Sequence, residues 1–258
     1  MSVYAKDPKV ALINYTRDPI ATMAFFRRIM HSSVPDSIEE LKNDPVKWLG
    51  MSLDDYFQDV LLKDGMPSFL ESVTLLFKLE NVSRALTHQI VRHRVGFVYS
   101  QQSMRCVRCE KFADEGSYHC PDTVQDRVGY HDSMSFIQDV YNSSLKHGVS
   151  TQDARGLLPM NIHTSIMFSC TLRAFVDMIN KRLCDKAQGE IQNIAYQMIQ
   201  LVKEKLDPRL GQYFGAPCET KGKCQMEGEN YLQFKEGKIV GEQNTARVCS
   251  RYIQKFCK

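Results

Sequence analysis

The sequence lacks any long hydrophobic run, and its N-terminal segment has no apolar signal-peptide core. No stretch approaches the roughly 20 consecutive apolar residues that a membrane-spanning helix requires, so a membrane protein is not expected and the cytoplasm is the expected location. The sequence also has no internal repeat, no phosphate-binding P-loop and no His-Glu-x-x-His zinc motif. Repeat proteins, P-loop nucleotide hydrolases and zinc proteases of that type are therefore not expected.

Net charge and cysteine content restrict the possibilities less. The 33 basic and 30 acidic residues leave a net charge of +3, which neither requires nor excludes an anionic partner. Nine cysteines in a chain without a secretory signal are expected to be free thiols. Cys106 and Cys109 have the spacing of metal ligands and Cys120 follows, so a zinc site there is a minor alternative to the expected absence of a metal.

The chain has an ordinary globular balance, with 43% hydrophobic residues over 258 positions, which is enough for one sizeable core. Apolar periodicity predicts helices and strands in mixed order. The predicted strands are residues 10–15 and 73–79, with a possible hairpin at 231–235 and 238–240. The predicted helices are residues 19–29, 35–48, 52–62, 130–145, 171–183 and 187–206, with a short one that begins after Ser150.

The most informative stretch, residues 83–109, concentrates arginine, glutamine and serine in a short segment. Val82, Leu86 and Ile90 repeat every fourth residue, which predicts a helix that closes at Arg94. Gly96 permits a change of direction, and the following residues are expected to return past the helix end as a strand or extended loop.

This geometry predicts a polar cup that suits a phosphorylated, planar ligand. Guanidinium groups bind phosphate through two parallel hydrogen bonds, and glutamine amides match the edge of a pyrimidine or an isoalloxazine. Arginines at the end of a helix also complement its dipole in water, so the chemistry alone leaves an anion site and a solvated surface equally open. The polar side chains of the cup are Gln89, Arg92, Arg94, Ser100, Gln101, Gln102, Ser103 and Arg105.

The order of these residues resembles the signature of the flavin-dependent thymidylate synthases, which is Arg-His-Arg, seven or eight residues, Ser, any residue, Arg. Here Arg92, His93 and Arg94 are followed after eight residues by Ser103, with Arg105 two positions later. The resemblance extends from about residue 65 to residue 214 in three separated blocks, which makes it specific.

The other blocks add candidate residues. Residues 154–161 resemble the Ala-Arg-x-x-Leu-Pro element of the family. The arginine of that element holds the nucleotide, and it corresponds to Arg155 here. Arg182 falls where the family has the arginine that orients and polarises the pyrimidine. Without the resemblance, Arg155 reads as a surface charge and Arg182 as an arginine whose stem packs while its head reaches water. Residues 65–72 keep the family's Ser68, which the resemblance assigns to the flavin phosphate.

By this resemblance the fold is α+β, a single domain of mixed helices and a central sheet over residues 1–215, with a Cys-containing C-terminal extension over 216–258. The implied assembly is a homotetramer with FAD and the active sites between subunits. The implied reaction transfers a one-carbon unit from methylenetetrahydrofolate to dUMP, giving dTMP, with reduced FAD supplying the hydride and NADPH reducing the flavin.

The resemblance also implies a role for each site residue. Arg182 is expected to be catalytic, and Ser103 is not expected to be a covalent nucleophile because no general base within its reach is evident. The implied nucleotide-binding residues are Gln89, Arg92, Gln101, Ser103, Met104, Arg105, Arg155 and Arg182. The implied flavin-binding residues are Ser68, Arg92, His93, Arg94, Gln101 and Asp177.

Two alternatives stay open at this point. The same fold and cofactors acting on another pyrimidine nucleotide, or giving a hydroxymethyl product, would fit the departures from the family pattern at Met66, Ser72, Met104 and Cys106. A flavin-free module that binds nucleic acid is less favoured, because a basic patch does not require Gln89, Arg155 and Arg182 in matching positions. That module would use Arg84, Arg92, Arg94, Arg105 and Arg108.

Overall fold

The structure is a computed structural model that describes residues 6–30, 33–220, 233–235 and 238–240. The chain divides into two compact units. The first contains Val73–Ala174 together with the N-terminal segment that ends at Thr16, and the second contains Arg17–Ser72 together with the chain from Phe175 onward. Helices and an antiparallel sheet together give the α+β class that the sequence predicted.

Strands, helices and short turns alternate along the described residues. The strands are β1 (Lys9–Tyr15), β2 (Thr74–Ser83), β3 (Phe97–Gln101), β4 (His163–Thr171), β5 (Gln233–Lys235) and β6 (Lys238–Val240). The α-helices are α1 (Pro19–Arg28), α2 (Ile38–Asn43), α3 (Pro45–Leu49), α4 (Leu53–Tyr56), α5 (Arg84–Ile90), α6 (Arg127–Lys146), α7 (Thr151–Ala154), α8 (Leu172–Arg182), α9 (Gly189–Lys205) and α10 (Pro217–Thr220). A π turn spans Phe57–Leu61, and 3-10 turns span Ser68–Ser72, Arg155–Leu157 and Pro208–Tyr213.

Four strands of the first unit form an antiparallel sheet in the order β1-β2-β4-β3. Successive side chains of a strand point to opposite faces, and burial alternates along both central strands. One face of the sheet is therefore buried. Its buried residues on the central strands are Leu75, Phe77, Leu79, Thr164, Ile166, Phe168 and Cys170.

Phe168 lies at the centre of this buried face. It is paired with Phe77 of β2 and Tyr99 of β3, and its ring centroid lies 5.5 Å from that of Phe77 and 6.0 Å from that of Tyr99. Aromatic side chains on neighbouring strands stabilise the pairing of those strands. The cluster therefore fixes the register of β3 on β4, in which Gln101 lies opposite Ile166.

Strand β4 is an addition to the sequence-based prediction, which placed no strand at residues 163–171. Its sequence, HTSIMFSCT, alternates in burial at every position. Thr164 and Cys170 are small and only weakly apolar, so the period of two is less visible in the sequence than in the structure. This strand is central in the sheet, because β2 and β3 both pair with it.

The second unit is mainly helical. Helix α9 buries Ile191, Ile194, Met198 and Val202 on one face, which confirms the apolar helix predicted there. In α1, the Nε of Arg27 donates to a carboxylate oxygen of Asp64 at 2.5 Å, and this hydrogen bond raises the pKa of Arg27. The predicted helix that follows Pro19 is confirmed as well.

The C-terminal hairpin is confirmed, since β5 and β6 pair antiparallel with Lys235 opposite Lys238. Three cysteines of the predicted extension, Cys224, Cys249 and Cys257, lie outside the described residues. In the part of the chain that the structure describes, no helix is both long and apolar enough to cross a membrane.

Candidate active site

The first unit contains a cavity of about 730 Å³, and small-molecule sites commonly occupy about 300–1,000 Å³. Three segments line it: α5, the chain that leaves β3, and the chain from α7 to β4. Strand pairing brings the second and third segments together, because the N–H of Gln102 donates to the carbonyl oxygen of Ser165 at 2.9 Å. The chain that leaves β3 therefore lies beside the first residues of β4.

Helix α5 contributes Arg84 and His88, which lie one turn apart and so share a face. The hydroxyl of Ser83 caps the helix by accepting from the N–H of Leu86 at 2.9 Å. The N–H of Arg84 donates to the carbonyl oxygen of Ile162 at 3.1 Å, so the start of the helix is tied to the chain that enters β4. The backbone donors at this end are used within the fold, and the side chains of Arg84 and His88 are what the helix presents to the cavity.

The chain leaving β3 contributes residues 101–104. The side-chain amide of Gln101 donates to the hydroxyl of Thr87 on α5 at 3.0 Å, which orients Gln101. The carbonyl oxygen of Ser103 accepts from the N–H groups of Cys106 and Val107 at 3.1 and 3.0 Å. Ser103 therefore begins a tight turn, and its exposed side chain lies at the cavity.

The third wall begins at α7, whose cap is the hydroxyl of Ser150 accepting from the N–H of Asp153 at 3.2 Å. Arg155 follows at the first position of a 3-10 turn and is exposed in the cavity. Leu158, Pro159 and Met160 then add an apolar side to the same wall. A charged end and an apolar side in one cavity suit a ligand with an anionic group and a planar ring.

The charge of the cavity is predominantly positive. Arg84 and Arg155 form no ion pair with a carboxylate among the described residues. One carboxylate oxygen of Asp153 accepts from the hydroxyl of Ser150 at 2.7 Å, which engages that carboxylate within its own turn. Two guanidinium groups facing one cavity favour an anionic ligand that accepts from both.

The Arg92–His93–Arg94 segment forms a turn and is not part of a helix, which corrects the prediction that the helix closes at Arg94. Helix α5 ends at Ile90. The hydroxyl of Tyr99 is hydrogen-bonded to the carbonyl oxygens of Ile90 and His93 at 2.9 and 2.6 Å, and this side chain from β3 turns the backbone away from the helix. The carbonyl oxygens at the end of the helix are therefore bound by a side chain of the strand that follows it.

The turn exposes Arg92 and Arg94, and neither has a carboxylate partner among the residues that the structure describes. His93 is half-buried, with its ring centroid 6.1 Å from that of Phe97. Two exposed guanidinium groups with an imidazole between them form a second cationic surface of the first unit. Such a donor set suits the diphosphate of a dinucleotide.

The structure brings some of the predicted site residues together. Gln101, Ser103, Met104 and Arg155 lie in one cavity, although they come from separated blocks of sequence. The other predicted residues of the first unit are outside the lining of this cavity: Gln89, Arg92, His93, Arg94 and Arg105. Of these, Gln89 lies on α5, where its side-chain amide donates to the carbonyl oxygen of Ala85 at 3.4 Å.

The remaining predicted residues belong to the second unit. Ser68 is exposed at the first position of a 3-10 turn. Asp177 lies on α8, where a carboxylate oxygen is 2.6 Å from Nζ of Lys181. Arg182 is half-buried and is the last residue of α8. In the same unit, Met66 is largely exposed.

Four charged or polar residues of the cavity were not assigned to the site by the sequence analysis: Arg84, His88, Gln152 and Asp153. The spacing of Arg84 and His88 was the available signal, because residues four apart on a helix share a face. The Ser150 cap likewise predicted a short helix next to Arg155, without indicating that Gln152 and Asp153 face a ligand.

Cys106, Cys109 and Cys120 are free thiols, and burial raises the pKa values of Cys109 and Cys120. In the described part of the chain, no group of three or more His, Cys, Asp or Glu side chains is arranged to hold a metal ion. The zinc alternative therefore has no support from the described residues.

An antiparallel sheet with flanking helices, and a cavity lined by arginines that have no carboxylate partner among the described residues, define an α+β protein suited to a phosphorylated ligand. Comparison with known proteins narrows this class. The family model of the thymidylate synthase complementing proteins matches residues 11–208. This chain therefore belongs to the thymidylate synthase complementing protein family.

Curated relatives give the same result. The flavin-dependent thymidylate synthase of Geobacter sulfurreducens is 34% identical over 222 residues, which cover 85% of this chain and 92% of the relative. The enzyme of that name from Pyrococcus abyssi is 31% identical over 225 residues, 84% of this chain and 88% of the relative. The enzyme from Sulfolobus acidocaldarius is 30% identical over 254 residues, 95% and 89% of the two chains. The resemblance inferred from the sequence motifs is confirmed.

Proposed function

We propose that this protein is a flavin-dependent thymidylate synthase, which methylates dUMP to dTMP. Methylenetetrahydrofolate is the one-carbon donor, and FAD and NADPH supply the reducing equivalents. The observation that carries the proposal is that Ser103 and Arg155 line the same cavity. These residues come from separate sequence blocks of a family whose relatives carry this activity by name.

The cavity residues are assigned to the nucleotide. Arg155 binds the phosphate of dUMP, because a guanidinium group without a carboxylate partner gains most from a dianion. The hydroxyl of Ser103 and the amide of Gln101 add neutral hydrogen bonds, and Met104 supplies an apolar contact. Gln89, Arg92 and Arg105 complete the nucleotide-binding set that the resemblance implies.

FAD is assigned to a set that centres on the Arg92–His93–Arg94 turn. The exposed guanidinium groups of this turn suit the diphosphate of FAD, which is the reason to place it there. Ser68, Gln101 and Asp177 complete the flavin contacts that the resemblance implies. Bound FAD supplies hydride transfer, and the protein contributes orientation and exclusion of water.

Arg182 is assigned to the reacting pyrimidine. The ring of dUMP becomes nucleophilic at its fifth carbon when negative charge on the ring and its carbonyl oxygens is stabilised, and a guanidinium group directed at those oxygens does this. Ser103 has no general base as a hydrogen-bond partner among the described contacts, since its hydroxyl accepts from the N–H of Arg105 at 3.3 Å. A binding role is therefore assigned to Ser103.

The larger organisation is part of the same proposal. The catalytic domain comprises residues 1–215, and residues 216–258 form an extension. The active enzyme is a homotetramer with FAD and the nucleotide at subunit interfaces. Its proposed location is the cytoplasm.

The test is anaerobic turnover of the purified, FAD-loaded protein with NADPH, methylenetetrahydrofolate and dUMP. Mass spectrometry of the nucleotides is expected to show conversion of dUMP to dTMP. Omitting each of the three reactants in turn is the matched control, and each omission is expected to abolish dTMP. If NADPH reduces the bound flavin but dUMP stays unchanged, the proposed substrate is contradicted.

A further inference from the structure

Residues 102–126 connect β3 to α6 and are called the loop below. The loop carries Ser103 and Met104 to the cavity and packs on one face of α6. The buried residues of α6 are Met134, Gln138 and Tyr141. They are separated by four and three positions, so they share one face of the helix. Each of the three contacts the loop or the buried cluster that the loop forms.

The apolar part of this contact includes a residue of the cavity. Met104 lines the cavity and is also a member of a buried cluster with Met134 of α6. The other buried members of the cluster are Phe112, Ala113, Tyr118, Cys120 and Ile162. Because protein interiors are close-packed, a displacement of the loop on α6 would be transmitted to Met104 and to its neighbour Ser103.

The polar part of the contact depends on Gln138. Its side chain is 5% exposed, and its amide oxygen accepts from the N–H groups of Ala113 and Asp114 at 2.8 and 3.4 Å. Two weaker or more exposed bonds lie beside it: Asn142 donates to the carbonyl oxygen of Glu110 at 2.9 Å, and Tyr141 accepts from the N–H of Cys109 at 3.4 Å. Gln138 is thus the buried polar anchor of the loop, and a buried N–H without an acceptor is costly.

Helix α6 also packs against the opposite wall of the cavity. It contacts α7 and the 3-10 turn Arg155–Leu157, which carry Asp153 and Arg155. One rigid helix therefore supports both walls. The separation of Ser103 from Arg155 depends on how firmly each wall is held to α6.

We propose that Gln138 is a positioning residue for nucleotide binding, because its amide oxygen fixes the loop on α6 and so sets the separation of Ser103 from Arg155. This inference rests on the proposed function. Gln138 is not among the residues that line the cavity, and it acts through the turn at Ala113 and through Met104. Its removal therefore weakens dUMP binding more than it slows turnover at saturating dUMP.

The first test is the kinetics of Gln138→Met in the FAD-loaded full-length enzyme. Methionine keeps the length and approximate volume of the side chain but removes the acceptor. The KM for dUMP is expected to rise about tenfold with kcat within about threefold of wild type. Gln138→Glu restores an acceptor oxygen and is expected to recover most of the loss. Gln200→Met, at an exposed position of α9, controls for the Gln-to-Met exchange and is expected to leave KM unchanged.

The second test measures how firmly the loop is packed, by the reactivity of a buried cysteine and without an activity assay. Cys120 is buried in the cluster and Cys170 is buried in β4, and burial raises the pKa of each thiol, so both react slowly with iodoacetamide. In Gln138→Met, peptide mass spectrometry is expected to show labelling of Cys120 at least about fivefold faster with Cys170 unchanged, because only the loop has been released.

The outcomes separate the possible failures. A higher KM for dUMP with selective labelling of Cys120 supports the proposal. An unchanged KM alongside faster labelling of Cys120 overturns it, and so does equally faster labelling of Cys170, which would make Gln138 a residue of general stability. If the wild-type enzyme forms no dTMP, the proposed function itself fails. If the wild-type enzyme forms dTMP and Gln138→Met has the same KM for dUMP, only the inference about Gln138 fails.

Discussion

Arg155 is an exposed arginine in the same cavity as Ser103 and Arg84, without a carboxylate partner among the described residues. In Arg155→Met, the KM for dUMP is expected to rise by about 10- to 100-fold, since a hydrogen bond to a charged group contributes about 1.5–3 kcal/mol. Bound FAD, measured by its visible absorbance, is expected to be unchanged. An unchanged KM would remove Arg155 from the phosphate site.

Arg182 differs from Arg155 in its expected task, which is to stabilise charge that develops only during the reaction. In Arg182→Ala, kcat is expected to fall by about 10²–10³, as for the loss of one preorganised donor, while folding and bound FAD are retained. Steady-state kinetics and flavin absorbance measure both. If the variant instead unfolds and sheds FAD, Arg182 is a structural residue and its catalytic assignment is wrong.

His163, at the start of β4, gives the first unit a predictable response to acid. Its Nδ1 is buried and has no hydrogen-bond partner among the described residues, and burial, reinforced by His119 and Lys6, lowers the pKa of His163 from 6.5 to about 4. Between pH 4 and pH 6.5, His163 is therefore protonated in the unfolded chain and neutral in the folded chain. Stability from this residue is present above pH 6.5 and is lost as the pH falls towards 4.

Between pH 7.5 and pH 5, the free energy of unfolding is expected to fall by about 2 kcal/mol more in wild type than in His163→Leu. Urea unfolding at the two pH values and one fixed protein concentration measures the difference. The carboxylates titrate in both proteins, so their contribution cancels when the two losses of stability are compared. Parallel losses in the two proteins would mean that His163 is protonated in the folded state.

At the scale of elements, the turn that follows α5 depends on Gly96. Its φ is +74°, and a Cβ there would lie 2.7 Å from Cβ of Ala174 and 3.1 Å from the hydroxyl oxygen of Thr171. Gly96→Ala is therefore expected to displace the Arg92–His93–Arg94 turn and to lower the FAD content of the purified protein, as read by flavin absorbance. The strain of the left-handed conformation alone costs about 1–2 kcal/mol.

Gly148, after α6, is the matched control for that prediction. Its φ is +85°, but a Cβ there would meet no atom within 4 Å. Gly148→Ala therefore carries the same backbone strain without the steric clash, and it is expected to lower stability by about 1 kcal/mol with full FAD content. Equal FAD loss in both variants would show that general destabilisation, and not the turn, releases the flavin.

The same turn shows where prediction from sequence reaches its limit. The helical period is a local signal, and α5 contains Leu86 and Ile90 of that pattern, but it begins at Arg84 because Val82 belongs to β2. Its end is set by the hydroxyl of Tyr99, which hydrogen-bonds to the carbonyl oxygens of Ile90 and His93. Tyr99 belongs to β3, and the helical pattern of the preceding residues does not indicate that contact, so the pattern extended the helix to Arg94.

The candidate site has the same division between local and distant information. The motifs predicted Gln101, Ser103 and Arg155 as site residues one by one, and the structure brings them into one cavity. What joins them is the pairing of β3 with β4, and β4 was not predicted. The spacing of Arg84 and His88 shows that they share a face of α5, but it does not show that this face lines the cavity, so they were absent from the predicted site.

At the scale of the whole molecule, strand β3 is an edge strand of the sheet, and two large apolar side chains are exposed at it. Val95 is 91% exposed and Val98 is 73% exposed, on either side of Gly96 and next to the cationic turn. Edge strands and exposed apolar residues are common places for one subunit to meet another. This surface is therefore a candidate contact in the proposed homotetramer.

If FAD lies between subunits, assembly and flavin binding are linked, because a ligand held by two chains stabilises their association. Light scattering of the wild type is expected to give four times the chain mass of 29.7 kDa. Val98→Lys, which adds a charge beside Arg92 and Arg94, is expected to yield smaller species that have lost FAD. Phe136→Lys, at a position on α6 that is 70% exposed, is expected to keep both the tetramer and its flavin. A wild-type monomer with full FAD content would contradict the assembly, and it would require the flavin site to be complete within one chain.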